Sequence, residues 1–162
     1  MKVVYTLSGG AAYGYAHIGV LEFLEESGLK PDAIVGTSMG AIIGGLYAYG
    51  YNAEEIKEIS EKVRAVELMR LFFPSFPRGG IIDTDGIRAF FEEYVGETRI
   101  EELDTVYRSV AVDIATGEEI VFDRGKLLDG MVASMSIPAV FKPYRYGERY
   151  LVDGGVVNNL PW

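Results

Sequence analysis

The segment Ala33-Ile34-Val35-Gly36-Thr37-Ser38-Met39-Gly40-Ala41 decides the predicted fold of this chain. Its apolar start predicts a buried β-strand, its glycines predict a tight turn, and the small residues from Ala41 to Tyr49 predict a helix. Within the turn, residues 36–40 have the G-x-S-x-G pattern of a nucleophile elbow, where a serine occupies a strained strand-to-helix turn. The helix amino terminus favours negative charge that develops beside it. Ser38 is therefore the candidate nucleophile.

The same region has a second interpretation as a membrane span, because no charged residue occurs between Asp32 and Glu54. Gly40 and Gly44 even have the GxxxG spacing of packed membrane helices. However, several glycines and a strand-like opening interrupt the segment. We therefore favour a strand, a turn and a helix in a soluble core.

Strand-like and helix-like stretches alternate on either side of this segment. Strands are predicted at residues 2–7, 33–35, 110–114, 119–122 and 149–152, and helices at 11–27, 41–49, 53–66, 85–95 and 126–134. This alternation predicts an α/β fold with three layers, in which a mainly parallel sheet has helices on both faces. A length of 162 residues predicts a single domain over residues 1–162.

The composition excludes several kinds of functional site. The chain has no cysteine and one histidine, so cysteine nucleophiles, Cys-rich zinc sites and zinc sites with several histidines are impossible. The net charge of -9 argues against a general nucleic-acid binder, which needs a basic face. The amino terminus lacks the continuous apolar region of a signal peptide, which predicts a cytoplasmic protein.

The single histidine also decides which base can activate Ser38. Hydrolases with this elbow usually have the order Ser, Asp, His, but His17 lies upstream of the elbow, on the first predicted helix. We interpret His17 as a partly buried helix residue, and the base is then a carboxylate. Asp113 and Asp153 both lie late in apolar strands, at the sheet edge where α/β proteins place their sites. The two glycines after Asp153 allow another backbone to approach closely, which favours Asp153.

A glycine-rich loop, Ser8-Gly9-Gly10-Ala11-Ala12, follows the first strand and precedes the first helix. Backbone N–H groups in this setting bind an anion or a tetrahedral oxyanion. The alternative is a dinucleotide-binding turn, because Gly9, Ala11 and Gly14 approximate G-x-G-x-x-G. That fold needs an acidic residue at the end of the second strand, where this chain has Gly36-Thr37-Ser38, so an oxyanion loop is favoured.

These motifs together resemble those of the patatin-like phospholipases, a family of α/β acyl hydrolases with a Ser–Asp dyad. The glycine-rich loop, the elbow and Asp153-Gly154-Gly155 match in order and spacing, and the likeness runs through nearly the whole chain. The resemblance implies a patatin-like fold, Ser38 as nucleophile and Asp153 as base. It also implies an oxyanion hole formed by the amides of Gly9, Gly10, Ala11 and Ala12. Lipid acyl esters are the implied substrates, with no metal or other cofactor and with peripheral contact to a membrane.

The chain departs from the family pattern at two places. Tyr13 stands where the family usually has arginine or lysine, so a preference for phospholipids is not implied. Family members continue past Asp-Gly-Gly with a further helix and strand, so we expect either that this chain is truncated or engineered at its carboxyl end or that something else covers the exposed core. A missing strand would leave a sheet edge open to self-association into a homo-oligomer. The second hypothesis is therefore a catalytically impaired or engineered patatin-fold module that acts in lipid binding or assembly.

Two aromatic segments are further candidates for lipid contact. Leu71-Phe72-Phe73 and Phe76, with Arg78 nearby, would form either a lid over the elbow or a loop that covers the core. The basic and aromatic stretch Val140–Tyr146 would either touch lipid head groups or form a solvated hairpin, and we favour the hairpin.

Overall fold

The computed structural model describes residues 2–72 and 83–161. These residues form six strands: β1 (Val4–Leu7), β2 (Ala33–Thr37), β3 (Val106–Asp113), β4 (Glu119–Phe122), β5 (Tyr144–Tyr146) and β6 (Arg149–Asp153). They also form five α-helices: α1 (Ala16–Glu26), α2 (Met39–Tyr49), α3 (Ala53–Phe72), α4 (Asp85–Val95) and α5 (Leu127–Ser134). Short 3₁₀ turns at Ala11–Tyr15, Ile100–Glu102 and Gly154–Val156 complete the described chain.

The strands form one sheet in the order β1-β2-β3-β6-β5, with β4 also paired to β3. β1, β2 and β3 run parallel to one another, whereas β4, β5 and β6 join the sheet by antiparallel pairing. The α/β fold predicted from the sequence is confirmed. The parallel character predicted for the sheet belongs to its first half, where helices connect successive strands.

The partners of β3 determine where the site forms. Val110 pairs with Thr37 of β2 and, across its other edge, with a residue of β4. Ala111 pairs with Asp153 of β6 and again with β4. Because β4 occupies one edge at both positions, β2 and β6 must share the opposite edge. They run toward each other along it, so their carboxyl ends meet.

One face of the sheet carries the hydrophobic core. Tyr5, Ile34 and Tyr107 are aligned across β1, β2 and β3, and all three are buried. Gly44 of α2 allows this helix to lie directly on Ile34, since a Cβ there would be 2.8 Å from that side chain. Buried residues of all five helices belong to the same cluster, and they include Ile18, Leu21, Ile42, Ile43, Leu46, Ala48, Ile56, Ile59, Phe91, Val95, Leu127, Leu128, Met131, Val132 and Ala133.

The opposite face of the sheet is partly open. Val4, Ala33 and Val106 are aligned across the same three strands, and the side chains of Val4 and Val106 are 54% and 55% exposed.

Several local expectations are met by the described chain. The turn at Thr116-Gly117 connects antiparallel strands β3 and β4, and residues after Lys142 form the β5–β6 hairpin. Among the described helices, none is both long and apolar enough to span a membrane. The predicted lid or loop at Phe73, Phe76 and Arg78 lies outside the described residues.

Candidate active site

Ser38 occupies the turn between β2 and α2, with a backbone φ of 56°. Non-glycine residues rarely adopt this left-handed region, and they persist there when their surroundings hold them in place. The flanking glycines let the turn close. A Cβ at Gly36 would collide with the backbone of Gly40, and a Cβ at Gly40 would collide with the carbonyl group of Leu7. The strand–turn–helix predicted around Ser38 is thus formed, and the glycines have the steric role expected of them.

Ser38 and Asp153 contact each other directly. The Ser38 hydroxyl donates to Oδ2 of Asp153 at 2.5 Å, and each residue is 5% exposed. Oδ1 of the same carboxylate accepts the Gly155 N–H at 2.7 Å, and the Asp153 N–H donates to the Ser136 carbonyl at 2.9 Å. The carboxylate is therefore held on both sides, with one oxygen directed at the serine.

Burial raises the pKa of Asp153 above the ordinary value for an aspartate, while the hydrogen bonds from Ser38 and Gly155 oppose this rise. A carboxylate with a raised pKa is a stronger base toward the serine proton. Asp113 is the other carboxylate that the sequence offers as a base. Its Oδ1 accepts the Ala115 N–H, and its Oδ2 lies 3.8 Å from a guanidinium nitrogen of Arg149. Asp113 therefore belongs to the β3–β4 turn.

The glycine-rich loop brings two of its four predicted residues into the cavity beside Ser38. Gly10 and Ala11 line this cavity of about 240 Å³ together with Ser38 and Asp153. Gly9 packs against Ser38, but its N–H donates to the Asn159 carbonyl at 3.0 Å. The Gly9 N–H is therefore already paired, whereas Gly10 and Ala11 are the loop residues that line the cavity. Ala12 lies in the 3₁₀ turn that begins at Ala11.

His17 anchors the same loop from α1. It is half-buried, as predicted for this helix residue. Its Nε2 lies 2.8 Å from the carbonyl oxygen of Ser8. The imidazole thus connects the first turn of α1 to the start of the glycine-rich loop.

Apolar residues complete the cavity. It is also lined by Ile137 and Pro138, which follow α5, and by Val156, which follows Asp-Gly-Gly. Within residues 2–72 and 83–161, no group of three or more His, Asp or Glu side chains is arranged to hold a metal ion. The cavity therefore combines apolar residues with a serine, a carboxylate and two residues of the glycine-rich loop.

Sequence reasoning missed two residues at this site, Ser134 and Asn159. The Ser134 hydroxyl accepts the N–H of Ser38 at 2.9 Å. Asn159 lines the cavity and accepts the N–H of Gly9 through its carbonyl. Both reach the site through contacts between residues far apart in sequence, and neither belongs to a motif with a recognised spacing. No local signal in the sequence distinguishes them.

The sequence of the chain is similar to those of known proteins. A family model described as patatin-like phospholipase matches residues 5–162. An uncharacterized NTE family protein of Mycobacterium bovis is 37% identical over 160 residues, which are 99% of this chain and 44% of that protein. Lysophospholipase NTE1 of Candida glabrata is 31% identical over 159 residues, which are 96% of this chain and 9% of that protein.

A solved structure shows the same fold. The crystal structure of VipD from Legionella pneumophila superposes on 99% of this chain and 47% of its own, with a TM-score of 0.59 and 14% identity. The chain spans less than half the length of each of these proteins. Because the family model covers almost all of the sequence, the resemblance seen in the three motifs is confirmed. The chain belongs to the patatin-like phospholipase family.

Proposed function

We propose that this chain is a serine acyl hydrolase that cleaves carboxylic ester bonds of lipids through a Ser38–Asp153 dyad. The observation that carries the proposal is the hydrogen bond from the Ser38 hydroxyl to the Asp153 carboxylate at the wall of an open cavity. Its donor is the atom that would attack and its acceptor is the group that would receive the proton. Family membership and the lysophospholipase name of one relative support lipid esters as the substrate class.

The first half of the reaction is acylation of the serine. Ser38 Oγ attacks the ester carbonyl carbon while its proton moves to Asp153, and the carbonyl oxygen becomes an oxyanion. The N–H groups of Gly10 and Ala11 would stabilise this charge, a contribution worth about a hundred- to a thousandfold in rate for one donor. When the tetrahedral intermediate collapses, the alcohol leaves with the proton from Asp153, and an acyl-serine remains.

The second half releases the acid by the same groups. Water donates a proton to Asp153 as its oxygen attacks the acyl-serine, and the same amides again hold the oxyanion. Collapse returns the proton to Ser38 Oγ and frees the carboxylic acid. A single carboxylate thus acts as base and then as acid in each half-reaction.

The uncharged, apolar segments around the cavity support the proposal that the chain acts on lipids at a membrane interface. The segments that border it, residues 8–16, 134–141 and 154–161, contain no charged side chain, although 24% of the whole chain is charged. Five large apolar side chains on these segments are exposed: Tyr13, Val140, Val156, Val157 and Leu160. We call these five residues the rim. An uncharged apolar rim can enter the boundary region of a neutral bilayer without removing charges from water.

Replacement of the nucleophile tests the proposal. Ser38→Ala should abolish both hydrolysis of a short chromogenic ester and covalent labelling by a fluorophosphonate, because the attacking oxygen is removed. Ser27→Ala is the matched control, since Ser27 is an exposed serine whose hydroxyl bonds the Phe23 carbonyl at the end of α1. Undiminished labelling of Ser38→Ala would refute the proposal, as would a wild-type chain that neither hydrolyses nor labels.

A further inference from the structure

The backbone N–H of Ser38 is bonded to a side chain on another element. β2 ends one residue before Ser38 and α2 begins one residue after it. The N–H donates to Oγ of Ser134, the last residue of α5, at 2.9 Å. The Ser134 hydroxyl in turn donates to the Val110 carbonyl at 2.6 Å. One hydroxyl therefore connects the turn that carries Ser38 to the central strand β3.

The Ser134 hydroxyl bonds β3 where the strands β2 and β6 meet. Val110 is the last residue of β3 that pairs with β2, and the next residue, Ala111, pairs with β6. Ser134 therefore bonds β3 at the junction of the two converging strands. Its side chain is fully buried, with 0% exposure, so water cannot replace the hydrogen bond.

The conformation of Ser38 makes such a bond necessary. At a φ of 56°, the residue is held in a region that non-glycine residues leave unless neighbouring groups fix them. An N–H bonded to a rigid acceptor fixes the peptide plane before Ser38 and hence the direction of its Cα–Cβ bond. That direction decides whether the hydroxyl points at Asp153.

We propose that Ser134 is a positioning residue, which holds the Ser38 turn in its strained conformation and so aims the nucleophile at Asp153. The inference rests on the proposed hydrolase function for its catalytic consequence. Ser134 does not contact substrate, because it is buried beneath the turn. Its effect is on the fraction of molecules in which Ser38 Oγ and the Asp153 carboxylate are correctly oriented, and so on kcat more than on KM.

A comparison of Ser134→Thr with Ser134→Val distinguishes the effect of the hydroxyl group from the effect of side-chain packing. The two side chains have nearly the same shape, so they disturb the buried site equally, but only threonine keeps the hydroxyl. We expect Ser134→Val and Ser134→Ala to lower kcat by about tenfold to a hundredfold with KM changed less than twofold. Ser134→Thr, which keeps the hydroxyl group, should retain most of the wild-type kcat. Ser109→Ala is the matched control. Like Ser134, Ser109 is a fully buried serine, but it lies on β3 and packs against Gly130 of α5.

A second measurement does not depend on turnover. Amide hydrogen exchange of Ser38, followed by NMR, should be at least tenfold faster in Ser134→Ala than in the wild type, relative to amides of β3. Equal exchange, or equal kcat in Ser134→Val and Ser134→Thr, would overturn the positioning role. These results are distinct from failure of the hydrolase proposal, which is decided by hydrolysis and labelling of the wild type and of Ser38→Ala.

Discussion

Thr37 and Asp153 end two strands that meet along one edge of β3, opposite its consecutive residues Val110 and Ala111. The residue after Thr37 is Ser38, whose hydroxyl contacts the Asp153 carboxylate across a sequence separation of 115 residues. Sheet register therefore brings the two side chains together. The proposed dyad is attached to strands that both pair with β3, which fits the need of catalytic groups for fixed geometry.

Removal of the negative charge at position 153 should abolish hydrolysis. Asp153→Asn keeps the shape of the side chain and one of the two acceptor oxygens, but an amide cannot take the serine proton. We expect kcat to fall by about a hundred- to ten-thousandfold, measured with a short chromogenic ester. Asp113→Asn is the control, because Asp113 bonds the Ala115 N–H and faces Arg149. An active Asp153→Asn variant would contradict the dyad.

The same substitution should stabilise the folded protein at neutral pH. Burial raises the pKa of Asp153, so the folded state binds this proton more tightly than the unfolded state does. Stability therefore falls as pH rises from the ordinary aspartate pKa of 3.8 through the raised folded-state pKa, and it stays lower above that value. Asp153→Asn should raise the melting temperature at pH 7, and the gain should disappear below pH 3.8. A gain that is independent of pH would contradict this explanation.

Gly40 should tolerate no larger residue. A Cβ at this position would meet the backbone carbonyl of Leu7, so α2 would have to move away from β1. We expect Gly40→Ala to lower the free energy of unfolding by about 2 kcal/mol or more, measured by urea denaturation. Gly19→Ala is the matched control on α1, where a Cβ would have open space, and it should stabilise by about 0.5–1 kcal/mol. Similar losses in both variants would contradict the steric argument.

The rim should contribute to binding of neutral lipid surfaces. Val157 and Leu160 are exposed beside the cavity, so replacing both with asparagine should weaken binding to phosphatidylcholine vesicles by about tenfold, measured by co-sedimentation. The control replaces Val4 and Val106 with asparagine. Those valines are equally exposed but lie at the amino ends of β1 and β3, away from the site. Equal losses in the two double variants would show that the rim has no special role.

Motifs with fixed local geometry could be predicted from the sequence. The elbow around Ser38 depends on two glycines and a strand next to a helix, and all of these are visible in nine consecutive residues. Asp153 could be chosen because two glycines follow it and because the single histidine precedes the elbow. The contact between Ser38 and Asp153 is the geometry that these arguments anticipated.

Contacts between distant segments could not be predicted in the same way. Pairing of the Gly9 N–H with Asn159 depends on how the chain returns past the glycine-rich loop after β6. The antiparallel entry of β6 beside β2 depends on long-range pairing, because hydrophobic periodicity does not reveal which edge a strand occupies. Ser134 contacts Ser38 only because α5 ends under the turn. These contacts come from tertiary structure, and single-sequence patterns carry no record of them.

Two strands that converge on one edge also limit which changes in chain length the fold can accept. Deleting one residue from β2 or β6 would turn every later side chain of that strand to the other face and separate Ser38 from Asp153. An insertion in the Thr116-Gly117 turn between β3 and β4 changes neither register. Natural variation in length should therefore collect in such turns, while the spans Ala33–Thr37 and Arg149–Asp153 keep a constant number of residues.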